Sequence, residues 1–333
     1  MEALPGMLIR LGAGVGIFLY GLQLISGHLE ALTGPAMEKG LRRLTGNVWM
    51  GTLTGMVITA IVQSSTAITV MTVNLVDKGM MTLHQAVGVI LGANIGTAGT
   101  SLMAALPIRS LAPLLLLSGV ILVLAEGISC RYTSDRGIGA VFMGMGMLLL
   151  GMELMQEAMV PYRSSSLLLR MMKGLGHPLT GILGGAIFTA VIQSSSASVA
   201  VLQSMAAEGM VGLQESAYIV YGQNIGTCVT ALWASARLSP TARNCAKLHL
   251  LINLLGTGIF LAADRMLPLT EWIGSWSPGN PALQIANLHL FFNLASTLVL
   301  LPFSRCLVSL VEHFFNFTLY NPLKKYYDKQ KAK

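Results

Sequence analysis

The residues best suited to chemistry belong to a polar motif that stands in apolar surroundings and occurs twice. Each copy joins a glutamine to three hydroxyl residues, and the copies are 130 positions apart (63 to 193). They are Gln63-Ser64-Ser65-Thr66 and Gln193-Ser194-Ser195-Ser196. A polar site built from two copies of one unit is typical of proteins that carry a solute across a membrane.

The first copy has the groups that an anion needs. A chain that turns at Gln63 and continues as a helix would present free N–H groups at Ser64, Ser65 and Thr66. Those N–H groups and the helix dipole attract an anion, and hydroxyls can rotate to donate to its oxygens. Positions 194–196 would supply the same donors from the opposite side, so the two tips together would hold a tetrahedral oxyanion. Alternatively, these hydroxyls only pack between helices, but their duplication in register favours a binding site.

A second polar motif, Asn-Ile-Gly-Thr, occurs at 94–97 and again at 224–227, with the same offset. Each copy lies midway along an apolar segment, and the nearby glycines permit a break in the helix. An unwound turn offers backbone carbonyls, Asn oxygens and Thr hydroxyls, which suit an alkali cation. The candidate ligands are Asn94, Thr97, Asn224 and Thr227. Alternatively, the glycines form a face for close helix packing.

The composition places these motifs in a membrane. Of 333 residues, 53% are hydrophobic and 11% are charged, against about 25% charged in soluble domains. Apolar stretches such as 111–128, 138–155 and 248–263 approach the ~20 residues that cross a bilayer. We expect an all-α polytopic membrane protein, one transmembrane domain over 1–333 in contact with lipids. The net charge of +7 is attributed to topology-setting loops and not to nucleic-acid binding. The four scattered cysteines do not form a metal-binding pair.

The 130-residue offset relates two repeats, at about 12–109 and 142–239. C-terminal helices and a basic tail follow them, at 244–333. Three predicted crossings separate the starts of the two copies. An odd number of crossings would invert the second copy relative to the first. The crossings are Met7–Leu32, Thr82–Leu106 and Leu111–Cys130.

The segments that hold the glutamine motifs are predicted to enter the membrane without crossing it. Asn47–Asp77 is too long for a single span and too short for two. A re-entrant helical hairpin with its tip at Gln63-Ser64-Ser65 fits this length, and irregular backbone at such a tip must be buried in protein or line a cavity. His177–Ala207, of equal length, is the second hairpin.

Loop charges predict the orientation. Of the 21 Lys and Arg residues, 20 are assigned to a side, 14 to one and 6 to the other, and the richer side should be cytoplasmic. The C-terminus is therefore expected inside.

Further polar residues lie in the apolar segments. Glu153 is a candidate proton or cation partner, or an acid at a helix end that reaches the interface. His249 and Asn253 stand four apart, as do His289 and Asn293, so each pair shares one helix face. These pairs either line the pathway or, as we favour, bond between helices.

Several of these features together resemble the sodium–phosphate cotransporter family, the type II group and its bacterial relatives. The resemblance rests on the doubled Gln-Ser-Ser motif, on Gly92–Thr97 and Gly222–Thr227, on the glycine-rich run 16–21 and on the His-x-x-x-Asn segments. Thr66, Ala93 and Gln223 depart from the family pattern. A PhoU-like domain follows the membrane part in many bacterial members and is not expected after Pro322.

The resemblance implies a sodium-coupled inorganic phosphate transporter of the cell membrane, with sodium as the coupling ion, no organic cofactor and no enzymatic activity. A homodimer is left open. The phosphate-binding residues would be Gln63, Ser64, Ser65, Thr66, Gln193, Ser194, Ser195 and Ser196. The sodium-binding residues would be Gln63, Ser65, Asn94, Thr97, Gln193, Ser195, Asn224 and Thr227. The alternative is a sodium- or proton-coupled carrier of another oxyanion or small organic anion.

Overall fold

The computed structural model describes residues 3–106, 108–128 and 137–317, and all regular structure in these ranges is helical. The first repeat contains α1 (Ala3–Leu44), α2 (Val48–Val62), α3 (Ser65–Asp77) and α4 (Leu83–Ala105), and α5 (Ala112–Ile128) follows. The second contains α6 (Ile138–Met159), α7 (Ser166–Leu175), α8 (Pro178–Ile192), α9 (Ser195–Ala207) and α10 (Leu213–Ser235). The last helices are α11 (Pro240–Met266), α12 (Leu269–Gly274), α13 (Pro281–Leu300) and α14 (Ser304–Phe317). The predicted basic tail lies outside the described residues.

Several helices are long and apolar enough to cross a membrane, which confirms an all-helical polytopic membrane protein. Within the described ranges there are five, or six if the bent pair α7–α8 forms one span. They are Pro5–Ala31, Leu83–Ala105, Ile138–Tyr162, Pro240–Met266 and Pro281–His313. Helix α5, which the crossing count treats as a span, has 17 residues and is therefore about 26 Å long, slightly less than the ~30 Å hydrocarbon core.

The first helix of each repeat differs from its counterpart. Helix α1 runs for 42 residues, well beyond the predicted Met7–Leu32. In the second repeat the chain leaves the helical path after Met159, at a short 3₁₀ turn that contains Pro161, and resumes as the separate helix α7. The residue matching Pro161 in the first repeat is Ala31, but α1 runs without interruption through Pro35, so a proline alone does not explain the break.

Both predicted hairpin segments are helix pairs. Asn47 caps α2 and Asp77 ends α3, while His177 caps α8 and Ala207 ends α9. Two residues link the helices of each pair, Gln63-Ser64 in the first and Gln193-Ser194 in the second. The two copies of the glutamine motif, which are predicted to bind the anion, therefore lie where the two helices of each pair are linked.

Helices α4 and α10, predicted to be broken at Asn94–Thr97 and Asn224–Thr227, are continuous. That prediction is wrong, because the glycines serve close packing instead. A Cβ at Gly92 would lie 2.0 Å from Thr52 O of α2, and one at Gly222 would lie 2.0 Å from Ile182 O of α8. The first helix of each hairpin thus lies against the last helix of its own repeat, backbone to backbone.

Helices α1 and α6 lie antiparallel and approach at glycines. A Cβ at Gly14 would lie 3.1 Å from Gly151 O, and one at Gly21 would lie 2.6 Å from Gly144 O. Gly14 and Gly144 are equivalent by the 130-residue offset, as are Gly21 and Gly151. The two contacts are therefore exchanged copies of each other, as in an interface around a two-fold axis.

One polar contact ties the first hairpin to α11. The carboxylate of Asp77, at the end of α3, accepts a hydrogen bond from Ser239 N–H at the cap of α11 (2.8 Å). Hydrogen bonds from the side chain and the backbone of Ser239 lower the pKa of Asp77. The matching position in the second repeat is Ala207, so the second hairpin cannot make this contact.

The hydrogen bond between Asp77 and Ser239 predicts that part of the stability of the fold is lost at acidic pH. Because the folded-state pKa of Asp77 lies below the unfolded value of about 3.9, its stabilisation is complete above that value. It is lost as the pH falls through the lower folded-state pKa. We expect the melting temperature of Asp77→Asn in detergent to fall less between about pH 5 and pH 3 than that of the wild type. Glu208→Gln, one position beyond the matching site, is the control and should retain the wild-type dependence. A pH profile of Asp77→Asn identical to wild type would contradict the assignment.

Candidate functional site

The two tips have the same backbone conformation. Gln63 and Gln193, the first residue of each link, both have φ of 59° and lie in the left-handed region. Among the described residues that are not glycine, these two have positive φ. The next residue caps the second helix, since Ser64 Oγ accepts from Ala67 N–H (3.2 Å) and Ser194 Oγ from Ala197 N–H (3.3 Å). The sequence repeat is therefore also a structural repeat at this point.

Each tip presents backbone donors at a helix N-terminus. A helix leaves its first N–H groups without an intrahelical acceptor, and the serine cap satisfies the third of them. Within the described residues, the N–H groups of Ser65 and Thr66 have no acceptor, nor have those of Ser195 and Ser196. Ser65, Ser195 and Ser196 are each 8% exposed. These free donors lie at the positive end of a helix dipole, in a largely buried setting that strengthens their attraction for an anion.

The glutamine side chains of the two tips differ. Gln63 Oε1 accepts from Thr100 Oγ on α4 (2.6 Å), and Gln63 Nε2 donates to Ala60 O. Gln193 is exposed and has no side-chain partner among the described residues. Thr230, the counterpart of Thr100, donates to Thr227 O instead (3.0 Å). Thr100 was not predicted, although Thr100 and Thr230 obey the repeat offset and could have been found by it.

The predicted cation ligands lie on continuous helices. Thr97 Oγ donates to Ala93 O and Thr227 Oγ to Gln223 O, both at 2.9 Å. Backbone carbonyls in these turns are not freed by unwinding, which removes one part of the predicted coordination. Sodium binding by these residues stays a prediction.

The Asn side chains keep acceptor capacity. Asn94 Nδ2 donates to Asn253 Oδ1 (2.9 Å), and Asn224 Nδ2 donates to Val220 O (2.9 Å). In the described part of the chain, no hydrogen bond reaches Asn94 Oδ1 or Asn224 Oδ1. An amide oxygen of this kind can be a cation ligand.

Two of the four His-x-x-x-Asn residues bond between helices, as we favoured. Asn253 of α11 accepts from Asn94 of α4 and donates to Cys228 Sγ of α10 (3.0 Å). His289 Nδ1 lies 3.0 Å from Ser101 Oγ of α4. Asn293 donates to the carbonyl of His289 within α13. His249 is 2% exposed and its ring nitrogens have no partner among the described residues. Interhelical bonding is thus confirmed for Asn253 and His289.

One turn of α4 contacts both hairpins. Thr100 donates to Gln63 at the first tip. The adjacent Ser101 carbonyl accepts from Gln203 Nε2 of α9 (2.9 Å), which also donates to Ala282 O of α13 (3.2 Å). Gln203 is fully buried. Helix α4 is therefore hydrogen-bonded to both hairpins. Glu153 lies apart from these contacts, partly exposed on α6.

The helical architecture and the paired polar tips define a polytopic membrane protein with a duplicated polar site. The chain belongs to the Na+/Pi-cotransporter family, whose model matches residues 17–157 and 148–273.

Curated relatives agree with the family. The uncharacterized protein YqeW of Bacillus subtilis is 28% identical over 308 residues, which is 92% of this chain and 97% of that protein. The putative inorganic phosphate export protein YjbB of Escherichia coli K12 is 30% identical over 298 residues, 89% of this chain but 53% of its own length. The human sodium-dependent phosphate transport protein 2C is 33% identical over 135 residues, 40% of this chain and 16% of that protein. No solved structure matches the chain significantly.

Proposed function

We propose that the protein is a sodium-coupled transporter of inorganic phosphate that binds its substrate between the two hairpin tips and works by alternating access. The observation that carries this proposal is the pair of matching helix N-termini with free N–H groups at Ser65, Thr66, Ser195 and Ser196. Backbone donors of this kind hold phosphate at many helix N-termini. Two of them can surround a tetrahedral anion without a basic side chain.

The packing of α1 on α6 supports an inverted repeat. Equivalent helices that cross the membrane in opposite directions must lie antiparallel, and these do. The exchanged contacts of Gly14 with Gly151 and of Gly21 with Gly144 are those that a pseudo-two-fold axis between the helices would produce. With both helices upright, this axis lies in the membrane plane, the arrangement of inverted-repeat transporters.

The length and exposure of the hairpin helices support re-entrant hairpins. Helix α2 has 15 residues and α3 has 13, so they are about 22 Å and 20 Å long, shorter than the ~30 Å core. Helix α2 exposes an apolar stripe with a spacing of four, and α8 exposes the matching stripe. These are Trp49, Leu53, Val57 and Ile61, and Leu179, Leu183, Ile187 and Val191. The stripes reach the tips, which fits hairpins that face lipid and end within the membrane.

Charge favours coupling to a cation, and the family favours sodium. A divalent phosphate moved inward against 100 mV costs about 5 kcal/mol, at about 2.3 kcal/mol per charge, and co-transported cations offset this cost. We assign sodium to oxygens of the tips and of the Asn-Ile-Gly-Thr segments, with Asn94 Oδ1 and Asn224 Oδ1 as free acceptors. One relative is named for sodium-dependent phosphate transport and another for phosphate export. We propose that in this protein the imposed gradients set the direction of net flux.

Transport in reconstituted vesicles tests the proposal. We expect labelled phosphate to accumulate when an inward sodium gradient is imposed, and to leave preloaded vesicles when the gradient is reversed. Excess unlabelled sulfate or carboxylates should not compete, whereas arsenate, which has the same shape and charge, should. Phosphate flux unchanged when choline replaces sodium would refute the coupling, and preferential competition by sulfate would refute the substrate.

The helix caps at the two tips can be removed and compared with the removal of a cap elsewhere. Ser64→Ala and Ser194→Ala remove a hydroxyl from the site and a helix cap, which costs about 1 kcal/mol of stability. Asn47→Ala removes the cap of α2, whose side chain accepts from Met50 N–H (2.8 Å), at a similar cost but far from the tip. We expect phosphate transport to fall about tenfold or more in the serine variants and to remain near wild type in Asn47→Ala. Equal losses in all three, measured at equal protein in the vesicles, would mean that only stability is affected.

A further inference from the structure

An apolar cavity of about 330 Å³ lies between α1, the end of α6, α7 and the second hairpin. Its lining is rich in methionine, a flexible side chain that adapts to varied apolar shapes. The methionines are Met7, Met159, Met171, Met172, Met205 and Met210. Among the described residues, Ser198 and Gln223 are the polar side chains that line it. A cavity of this composition suits a hydrocarbon chain and not a hydrated ion.

Helix α7 forms the boundary between this cavity and a basic groove. Its face with Leu168, Met171 and Met172 lines the cavity, whereas Arg170 and Lys173 are exposed. Helix α7 makes an angle of 105° with α8. A short amphipathic helix that lies across an adjacent membrane helix, with basic residues on its polar side, is typical of the membrane interface.

The basic groove adjoins the apolar cavity. Arg170, Lys173 and Ser166 line it, with Glu215 as its acidic residue. Met172 and Met210 line both the groove and the cavity. The groove therefore carries net positive charge directly beside the apolar cavity. This pairing matches a molecule with an anionic head and an apolar tail.

We propose that the groove and the cavity together bind one anionic phospholipid. Its phosphate would lie at Arg170 and Lys173, and one acyl chain would extend along the methionines to the second hairpin. Electrostatic attraction to basic residues at an interface and burial of the acyl chain are the two terms that hold such a lipid. Binding of this lipid does not depend on whether the protein transports phosphate.

The second hairpin is the element that this lipid would contact. Ser198 of α9 accepts from Thr189 Oγ of α8 (2.8 Å) and lines the cavity, as do Gly184 and Gly185 of α8. The described part of the first repeat differs here, because α1 continues through the positions that match α7. Its corresponding groove is lined by Glu38, Lys39, Arg42, Arg43 and Met80. Given the proposed transport, the lipid would restrain one hairpin and leave the other free.

Lipid retention measures the site directly. The purified protein is exchanged into vesicles of phosphatidylcholine with a minor fraction of phosphatidylglycerol that carries a photoreactive group on its acyl chain. After extraction, bound lipid is counted by native mass spectrometry, and the crosslinked residues are mapped. We expect one retained phosphatidylglycerol and crosslinks on α7 and α9. Arg170→Gln with Lys173→Gln should reduce retention about tenfold or more.

The controls separate this site from general lipid contact. Lys39→Gln with Arg43→Gln removes equal charge from the first repeat, where Arg43 is the counterpart of Lys173, and should leave retention unchanged. Met172→Trp fills the cavity but keeps the basic residues, and should also reduce crosslinking to α9. Equal retention of phosphatidylcholine, unchanged retention in the Arg170/Lys173 variant, or displacement of the lipid by inorganic phosphate would overturn the proposal. Because phosphate transport is not the readout, the proposal does not fail if the transport assignment fails.

Discussion

Replacing Gln193 with glycine is expected to reduce phosphate transport by about tenfold or more while leaving the protein as stable as the wild type, or slightly more stable. Gln193 has φ of 59°, a conformation that costs a non-glycine residue about 1–2 kcal/mol and that glycine adopts freely. Its side chain is exposed and has no partner in the described structure, so folding does not explain a glutamine there. A strained residue whose side chain is free is suited to binding a ligand.

Parallel measurements decide the role of this glutamine. Thermal unfolding in detergent reports stability, and sodium-driven uptake at equal protein reports transport. Loss of a hydrogen bond to a charged ligand is worth about 1.5–3 kcal/mol, or roughly tenfold to a hundredfold in affinity. Gln63→Gly should behave differently, because it also removes the bond to Thr100 and so gains less stability. Wild-type transport by the Gln193→Gly variant would show that the glutamine side chain does not bind the substrate.

The second large effect is expected at the glycines that bring α2 and α8 against α4 and α10. A Cβ at Gly92 or Gly222 would lie 2.0 Å from a backbone carbonyl oxygen, and backbone cannot rotate away as a side chain can. We expect Gly92→Ala and Gly222→Ala to destabilise the fold by more than about 3 kcal/mol, the upper end of ordinary overpacking. Yield of folded protein in detergent, and its melting temperature, measure this loss.

Gly99→Ala is the matched control on the same helix as Gly92. A Cβ there meets no atom within 4 Å. Since alanine is favoured over glycine in a helix by up to about 1 kcal/mol, Gly99→Ala should leave the protein as stable or more so. If Gly92→Ala folded as well as Gly99→Ala, α2 and α4 could not lie as closely as the structure places them.

The sequence located the hairpin helices well because local signals mark their ends. Asn47, Ser64 and Ser194 are strong helix caps, and each caps a helix in the structure. The bounds Asn47–Asp77 and His177–Ala207 follow from those signals and from the repeat. The interhelical roles of Asn253 and His289 could also be anticipated, since polar side chains within membrane helices commonly bond to neighbouring helices.

The broken helices could not be decided from the sequence. A glycine within an apolar helix permits a break and also permits a neighbour to approach, and only the position of that neighbour distinguishes the two. The approach of Thr52 to Gly92 involves residues 40 positions apart and is invisible to local patterns. The separate helix α7 was missed for a related reason, because the first helix ends near Met159 in one copy and continues to Leu44, through Pro35, in the other.

The two hairpins are copies in sequence but are attached unequally. The first is bonded to α4 through Gln63 and Thr100 and to α11 through Asp77 and Ser239, and the second has neither bond. The second is bonded instead from Gln203 to the carbonyls of Ser101 in α4 and Ala282 in α13. In a carrier whose halves exchange conformations, perfect symmetry would make the two access states equal in free energy. Because the two hairpins make different bonds, that equality is broken. The empty transporter should therefore be open mainly to one face of the membrane. Substrate binding must then supply the free-energy difference between the two access states in each transport cycle.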